Sequence, residues 1–387
     1  MFKPIIIGLG YTLVPKSRKP QWLKETLEAS GPTYIKLGQF IANRKDIFGQ
    51  DLSDGLKSLQ NHVKPVPWSS LEPYIPKDTF TMIDTVPVAT ASIAQIHRAQ
   101  LKNGRLVALK IKKPGVEESV RDDIRALRLT LSYVLQKSFI DDFERSMLKE
   151  FDFESEIINL KDFGDMYDGS TRVIVPRVYP EYSSKSLITM DFVDSDGTIR
   201  KAKDLIQIFI NQLLYENRVH GDLHSGNIGT NGESTVLYDF GNVIRTTKQY
   251  RSAMRDFVYN LQVKNKNGVL RAMKMMGMKI VNEKMTDMFI DKFFKYVETL
   301  DISSFTFDPD EIQDKIPIQL DSTTVSLMRS YSLLEGYCKK IDPDFSYSEI
   351  LTETLETLYL DLDYISTRAR QDIAQVLRGM SESVDDT

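Results

Sequence analysis

Between Asn217 and Gly229 the chain reads NRVHGDLHSGNIG, two of its four histidines flanking an aspartate, with an asparagine five positions after it. Asp222 and Asn227 have a D-x-x-x-x-N spacing, which lets one loop do two jobs. The carboxylate can orient or deprotonate a nucleophile, while the amide oxygen takes a metal ion lying on phosphates. Downstream comes YDFG, whose Asp239 could supply the principal carboxylate to Mg²⁺. That ion prefers hard oxygen ligands and keeps several waters, so one carboxylate and one amide beside phosphate oxygens suit it, and Mn²⁺ equally. A histidine–zinc reading is weaker, because His220 and His224 lack HExxH spacing and no third strong ligand is evident. These histidines are expected to hold the loop by hydrogen bonds.

Lys110 lies upstream in VALKIKKPG, an alternating run in which Leu109 and Ile111 face the side opposite to the lysine. A lone strand lysine is ordinarily a solvated charge. This one follows a hairpin and precedes an acidic helix, the setting in which such a lysine pairs with a glutamate and grips phosphates. One such element is a weak signal; Lys110, an acidic helix, Asp222 with Asn227, and then Asp239 are a strong one, in the order of a kinase-type nucleotide site. The turn before Lys110 is unusual. A protein kinase places glycines there so that backbone amides can approach phosphate. Here the residues are Ala89, Thr90, Ala91 and Ser92, which predict a stiffer loop.

Two further clusters are ambiguous alone. Lys36 and Gln39 in KLGQ are i,i+3 neighbours on one helix face, and EFDFESE puts Glu150 and Asp152 among apolar residues, with Glu156 beyond. Either could be a solvated surface.

The elements that must position these groups fall into three zones. From about Trp22 to Tyr74 the apolar spacing is helical, broken at Gly31-Pro32, with Thr33 as the expected cap. From Phe80 to about Phe192, two alternating runs meet at Asn103-Gly104 as a hairpin. One long helical stretch follows, over roughly Val116 to Leu160, and then TRVIVPRVY and SLITMDFV as two more strands. From Lys203 onward the pattern is mainly helical, including EKMTDMFIDKFFKYVETL and SEILTETLETLYLDLDYIS, with short strands at NIGT and TVLYDFG. The tail SESVDDT is expected to fray. The expected class is α+β, a sheet-rich lobe joined to a larger helical one, divided at 1–78, 79–193 and 194–387.

Composition sets outer bounds. A formal charge of −4 over 387 residues argues against a nucleic-acid partner. The single cysteine, Cys338, allows no intrachain disulfide and favours a reducing compartment. No stretch approaches the roughly 20 apolar residues of a spanning helix. MFKPIIIGLGYTLVP is a short apolar run broken by Gly8 and Gly10. It leaves a soluble intracellular protein, or one with a peripheral membrane contact, as the expectation.

Taken together, KLGQ at Lys36–Gln39, ATAS at Ala89–Ser92, ALKIKKPGV, EFD at Glu150–Asp152, HGDLHSGN and DFG resemble the UbiB-like atypical kinases, the ADCK or ABC1 type, associated with coenzyme Q biosynthesis. The likeness runs from about Pro20 to Ile244. It implies a protein-kinase-like two-lobed fold with an added N-terminal helical K-x-G-Q region lying over the cleft. It implies binding of ATP or ADP with Mg²⁺, and an ATPase or small-molecule kinase acting in isoprenoid-lipid metabolism. Carried over by motif, Lys110 becomes the nucleotide lysine, Glu156 its partner, Asp222 the catalytic-loop aspartate, and Asn227 and Asp239 the metal ligands. Lys36, Gln39 and Glu150 would line the covered cleft, with Ala89–Ser92 on the nucleotide. Two other functions fit some of the residues: a conventional protein or aminoglycoside/choline-type phosphotransferase, and a nucleotide-sensing module with little turnover that presents a surface to lipid or partner proteins.

Overall fold

The chain is seen here as a computed structural model, which describes residues 3–42, 48–56, 59, 64–131, 137–197, 201–282, 284–288, 290–291, 294 and 318–344. Its contacts divide it into two units, Met1–Thr198 with Gly226–Asn242, and Ile199–Ser225 with Val243–Thr387.

The first unit is built on the expected hairpin. Strands β3 (Ala94–Leu101) and β4 (Leu106–Lys112) pair antiparallel, and Gly104 takes φ 83° in the turn, where glycine is at no disadvantage. β1 (Phe80–Ile83) and β2 (Ala89–Thr90) pair with β3, and β6 (Leu187–Asp191) pairs with β4, completing an antiparallel five-stranded sheet. Alternation sorts β4 into two faces. Val107, Leu109 and Ile111 enter a core with Leu71, Ala99, Leu101, Tyr179 and Leu187, while Lys110 stands on the other face.

Helices α1 (Lys3–Leu13), α2 (Lys19–Ser30), α3 (Pro32–Ala42) and α4 (Gln50–Leu56) precede the sheet, as does the single turn Trp68–Leu71. The helix carrying KLGQ starts two residues earlier than its sequence suggested. Pro32 opens it, Gly31 at φ 109° turns the chain, and the Gly31 carbonyl accepts from the amides of Tyr34 and Ile35, so Thr33 is a buried helical residue and not the cap.

The long helix expected over 116–160 is divided. The described helices there are α5 (Val116–Leu131), α6 (Lys137–Lys149) and α7 (Phe153–Met166). Apolar periodicity continues across the break, but Asp152 adopts non-helical angles and caps α7, which ends one helix and starts the next. TRVIVPRVY also differs from expectation. Only Val173–Ile174 (β5) is a strand, and it joins β8 (Ile228–Asn231) and β9 (Ser234–Leu237) in a separate three-stranded sheet.

The second unit pairs β7 (Arg218–His220) with β10 (Val243–Arg245) and surrounds them with helices. These are α8 (Ala202–Leu214), α9 (Lys248–Gln262), α10 (Lys266–Met275) and α11 (Ser322–Ile341). Thr247, Asn265 and Asp321 cap α9, α10 and α11 through side-chain oxygens. α8 and α11 meet through Phe209 and Tyr331, and Cys338 is wholly buried, its Sγ donating to the Ala202 carbonyl at 3.7 Å. The expected helix 348–366, the tail, and most of 283–300 lie outside the described residues.

Among the described residues no helix is long and apolar enough to cross a membrane.

Candidate functional site

Helix α7 assembles the polar cluster of the first unit. Its start is fixed by Asp152, whose carboxylate accepts from the Ser155 amide at 2.9 Å and the Ser155 hydroxyl at 2.6 Å. Those bonds, joined by Lys112, hold the Asp152 carboxyl below its ordinary range. With the register set, Glu156, Asn159 and Phe163 recur at i, i+3 and i+7 and share one face.

Each of the three holds something different. Glu156 receives the Lys110 ammonium on both oxygens, at 2.7 and 2.9 Å. Asn159 donates to the carbonyl of Phe240 at 2.9 Å. Phe163 lies with its ring centroid 4.8 Å from that of Phe240, and both rings are fully buried. One helix face therefore holds the strand lysine and the DFG segment together. Asp239 joins from that segment, its Oδ2 3.5 Å from Lys110 Nζ.

The backbone at Asp239 is itself unusual. Its φ is 55°, in the left-handed region that non-glycine residues seldom occupy, and its Oδ1 accepts from the Gly241 amide at 3.1 Å. A β-carbon on Gly241 would sit 3.2 Å from that same oxygen, so glycine permits the close turn. Lys110 and Glu156 side chains are 11% and 4% exposed against 47% for Asp239, which makes Asp239 the solvent-facing member.

Burial opposes the charged form of Lys110, but Asp239 and Glu156 outweigh it and hold the ammonium above its ordinary pKa. Burial pushes the Glu156 carboxyl upward, against the pull of Lys110. Two carboxylates on one ammonium leave an excess negative charge, with Asp239 as the accessible ligand. No group of three or more His, Cys, Asp or Glu able to cage a metal occurs among the described residues. This donor set fits a hard divalent ion whose remaining ligands are phosphate oxygens and waters, and it does not fit a structural zinc site. Asn227, the expected second ligand, is 8% exposed, and its carbonyl accepts from the Tyr238 amide at 2.9 Å at the mouth of the β8–β9 pair.

A second convergence joins three motifs. Glu150 takes the Lys36 ammonium at 2.9 Å on one oxygen and the Ser92 hydroxyl at 3.5 Å on the other. KLGQ, the alanine-rich turn and EFD thus meet through one carboxylate. Ala89 and Thr90 are strand residues opposite Ile96 and Gln95, and the Ala91 amide closes the turn onto the Ala94 carbonyl at 2.9 Å. Gln39 reaches the Leu59 carbonyl at 3.3 Å. The glycine of KLGQ has a packing reason: a β-carbon on Gly38 would lie 2.3 Å from Leu59 Cδ1 and 2.8 Å from Leu27 Cδ1.

Asp222 belongs to the second unit, with both loop histidines. His220 is fully buried and holds the loop: its ring Nδ1 accepts from the Asp222 amide, its own amide donates to Gln212, and its carbonyl accepts from Ser330. His224 Nε2 stands 3.6 Å from Asp222 Oδ2, with both side chains well exposed.

Asn159 and Phe163 escaped the sequence reading, although FESEIINLKDF carries them at regular helical offsets from Glu156. Lys113 escaped as well, hidden in the run KIKKPG.

Comparison with known proteins gives the family of the chain. The ABC1 atypical kinase-like domain matches residues 58–273, more than half of the chain. The chloroplastic protein ACTIVITY OF BC1 COMPLEX KINASE 8 of Arabidopsis thaliana is 27% identical over 402 residues, covering 85% of this chain and 53% of that protein. A probable protein kinase UbiB of Xylella fastidiosa is 27% identical over 276 residues, 62% of this chain and 50% of that one. An uncharacterized Synechocystis protein, sll1770, is 26% identical over 87% of this chain and 64% of its own. The chain thus spans about half to two thirds of the length of these relatives. Among solved structures, Rv3197 of Mycobacterium tuberculosis, in complex with erythromycin, superposes with a TM-score of 0.56 at 21% identity, over 79% of this chain and 87% of that one.

Proposed function

The chain belongs to the ABC1 atypical kinase-like family, and from that premise we propose that it binds ATP or ADP with Mg²⁺ and acts as an ATPase or as a kinase of a small, lipid-like acceptor. The observation that carries this reading is Lys110 held between Glu156 and Asp239. An ammonium fixed in this way is oriented for phosphate oxygens, and the exposed carboxylate beside it would hold a divalent metal ion. When bound, the metal would neutralise charge developing on the transferred group. Lys110 would bind and orient phosphate, Glu156 would keep the lysine in place, and Asp239 with Asn227 would hold the ion. Asp222 takes the role of nucleophile-orienting carboxylate on the strength of its D-x-x-x-x-N spacing.

Hydrolysis of ATP with Mg²⁺, with and without quinone-precursor mimics, tests the reading in wild type, Lys110→Met and Asp239→Asn. Asparagine tolerates the left-handed backbone at 239 and removes only the charge. Loss of at least a hundredfold in both variants is expected, and turnover equal to wild type would overturn the proposal.

A peripheral membrane contact is supported by α1. Ile5, Ile6, Leu9 and Leu13 are 42%, 65%, 63% and 84% exposed and share one face, and five basic residues with no acid fill the first 24 positions. Co-sedimentation with anionic vesicles, abolished by Leu9→Glu with Leu13→Glu, is the expected result; sedimentation unchanged by these substitutions excludes α1 as the contact.

A further inference from the structure

Immediately after β4, Lys113 binds the alanine-rich turn twice. Its backbone amide donates to the Ile93 carbonyl at 2.8 Å, and its ammonium donates to the Ala91 carbonyl, also at 2.8 Å. The residue is 6% exposed, and among the described residues no carboxylate pairs with it. A buried ammonium whose partner among the described residues is one backbone carbonyl is a costly group to keep. Ordinary packing would be served as well by leucine or methionine at this position.

The partner it holds explains its presence. In a trans peptide the carbonyl and the following amide point in opposite directions. With the Ala91 carbonyl drawn to Lys113, the Ser92 amide is turned to the opposite side, and neither it nor the Ile93 amide donates to any described group. The charge-assisted bond is about twice as strong as a neutral one, enough to fix which way the 91–92 peptide faces. A glycine-rich turn can rotate that peptide freely; an alanine-rich turn held at its carbonyl cannot.

We propose that Lys113 is a positioning residue for nucleotide, acting through the Ala91 peptide to hold the Ser92 amide in the orientation that the phosphates meet. This rests on the nucleotide reading of the site. Lys113 does not touch the ligand itself. It supplies from outside the turn the directional constraint that Lys110 and Asp239 need opposite them.

Hydrogen exchange of the peptide spanning 89–94 and titration with Mg-ADP test this on the full chain, in wild type, Lys113→Met, Lys113→Arg, Ala91→Gly and the Lys113→Met/Ala91→Gly double variant. In Lys113→Met, exchange across 89–94 should rise about tenfold, with β3 and β4 unchanged, and Mg-ADP affinity should fall about tenfold. Lys113→Arg, which keeps a cation, should recover part of both. Ala91→Gly should weaken binding in wild type and add little in Lys113→Met, since coupled residues fail additivity. Unchanged exchange at 89–94 overturns the proposal, and so does a rise spread evenly through the sheet, which would make Lys113 a general stability residue. Additive losses would do the same. Failure of wild type to bind Mg-ADP would sink the nucleotide reading, while the exchange data would still decide whether Lys113 holds the turn.

Discussion

Asn159 donates to the carbonyl of Phe240 from one turn beyond Glu156, so the helix that supplies the carboxylate for Lys110 also grips the segment that supplies Asp239. Lysine, glutamate and aspartate are thereby set by one rigid body. Asn159→Leu would remove this hydrogen bond from the Phe240 carbonyl, at a cost of about 0.5–1.5 kcal/mol. Urea denaturation should show this loss, and Mg-nucleotide affinity should fall in parallel because Asp239 loses its register to Lys110. Lost stability with full affinity would mean that Phe163 alone suffices to place Phe240.

Glu156 is the partner on which Lys110 most depends. Glu156→Ala leaves a buried ammonium with the longer ionic contact to Asp239 and the ring of Phe153, and removing one partner of a buried pair costs roughly 3–5 kcal/mol. Lys110→Met/Glu156→Leu should be more stable than Glu156→Ala alone, because no buried charge is then left uncompensated and the Asp239 carboxylate, which loses its lysine, faces solvent. Chemical denaturation of wild type and both variants checks the order; a double variant no more stable than Glu156→Ala would contradict it.

Lys113 predicts an alkaline signature. Burial pushes its pKa down to about 8 from an ordinary 10.5, so the unfolded chain holds this proton more tightly. Stability from this group is therefore fully present above about pH 10.5 and lost as pH falls through about 8. The unfolding free energy of wild type minus that of Lys113→Met should rise across this window and be flat below it. Lys112, Lys185, Glu117, Glu118, Asp152 and Glu154 line a cavity together with Lys113, and being common to both proteins they cancel in the difference. A flat difference throughout would show that the ammonium is solvated.

The mixed helix-and-sheet class and the hairpin were legible because their signals are local. Asn103-Gly104 encodes a turn, and the alternation about Lys110 separates a core face from a polar one. The break before α7 was not legible, since apolar spacing continues through it. Only a side-chain bond from Asp152 to Ser155 shows that a new helix begins. The meeting of Lys36 with Glu150 joins residues more than a hundred positions apart, and their types alone read as surface charge. Lys113 was hidden by the opposite effect: in a run of lysines nothing local marks the one that turns inward.

The left-handed backbone at Asp239 gives the site a measurable signature in a library of variants. A non-glycine residue held there carries about 1–3 kcal/mol of strain. Glycine would relax it, and Glu156 would still keep Lys110 paired after the carboxylate had gone. In a library sorted only for survival at high temperature, Asp239→Gly should therefore be enriched, and in one sorted for nucleotide turnover it should vanish. A position that the two selections push in opposite directions is one where the fold has been kept below its own optimum for the sake of a single carboxylate.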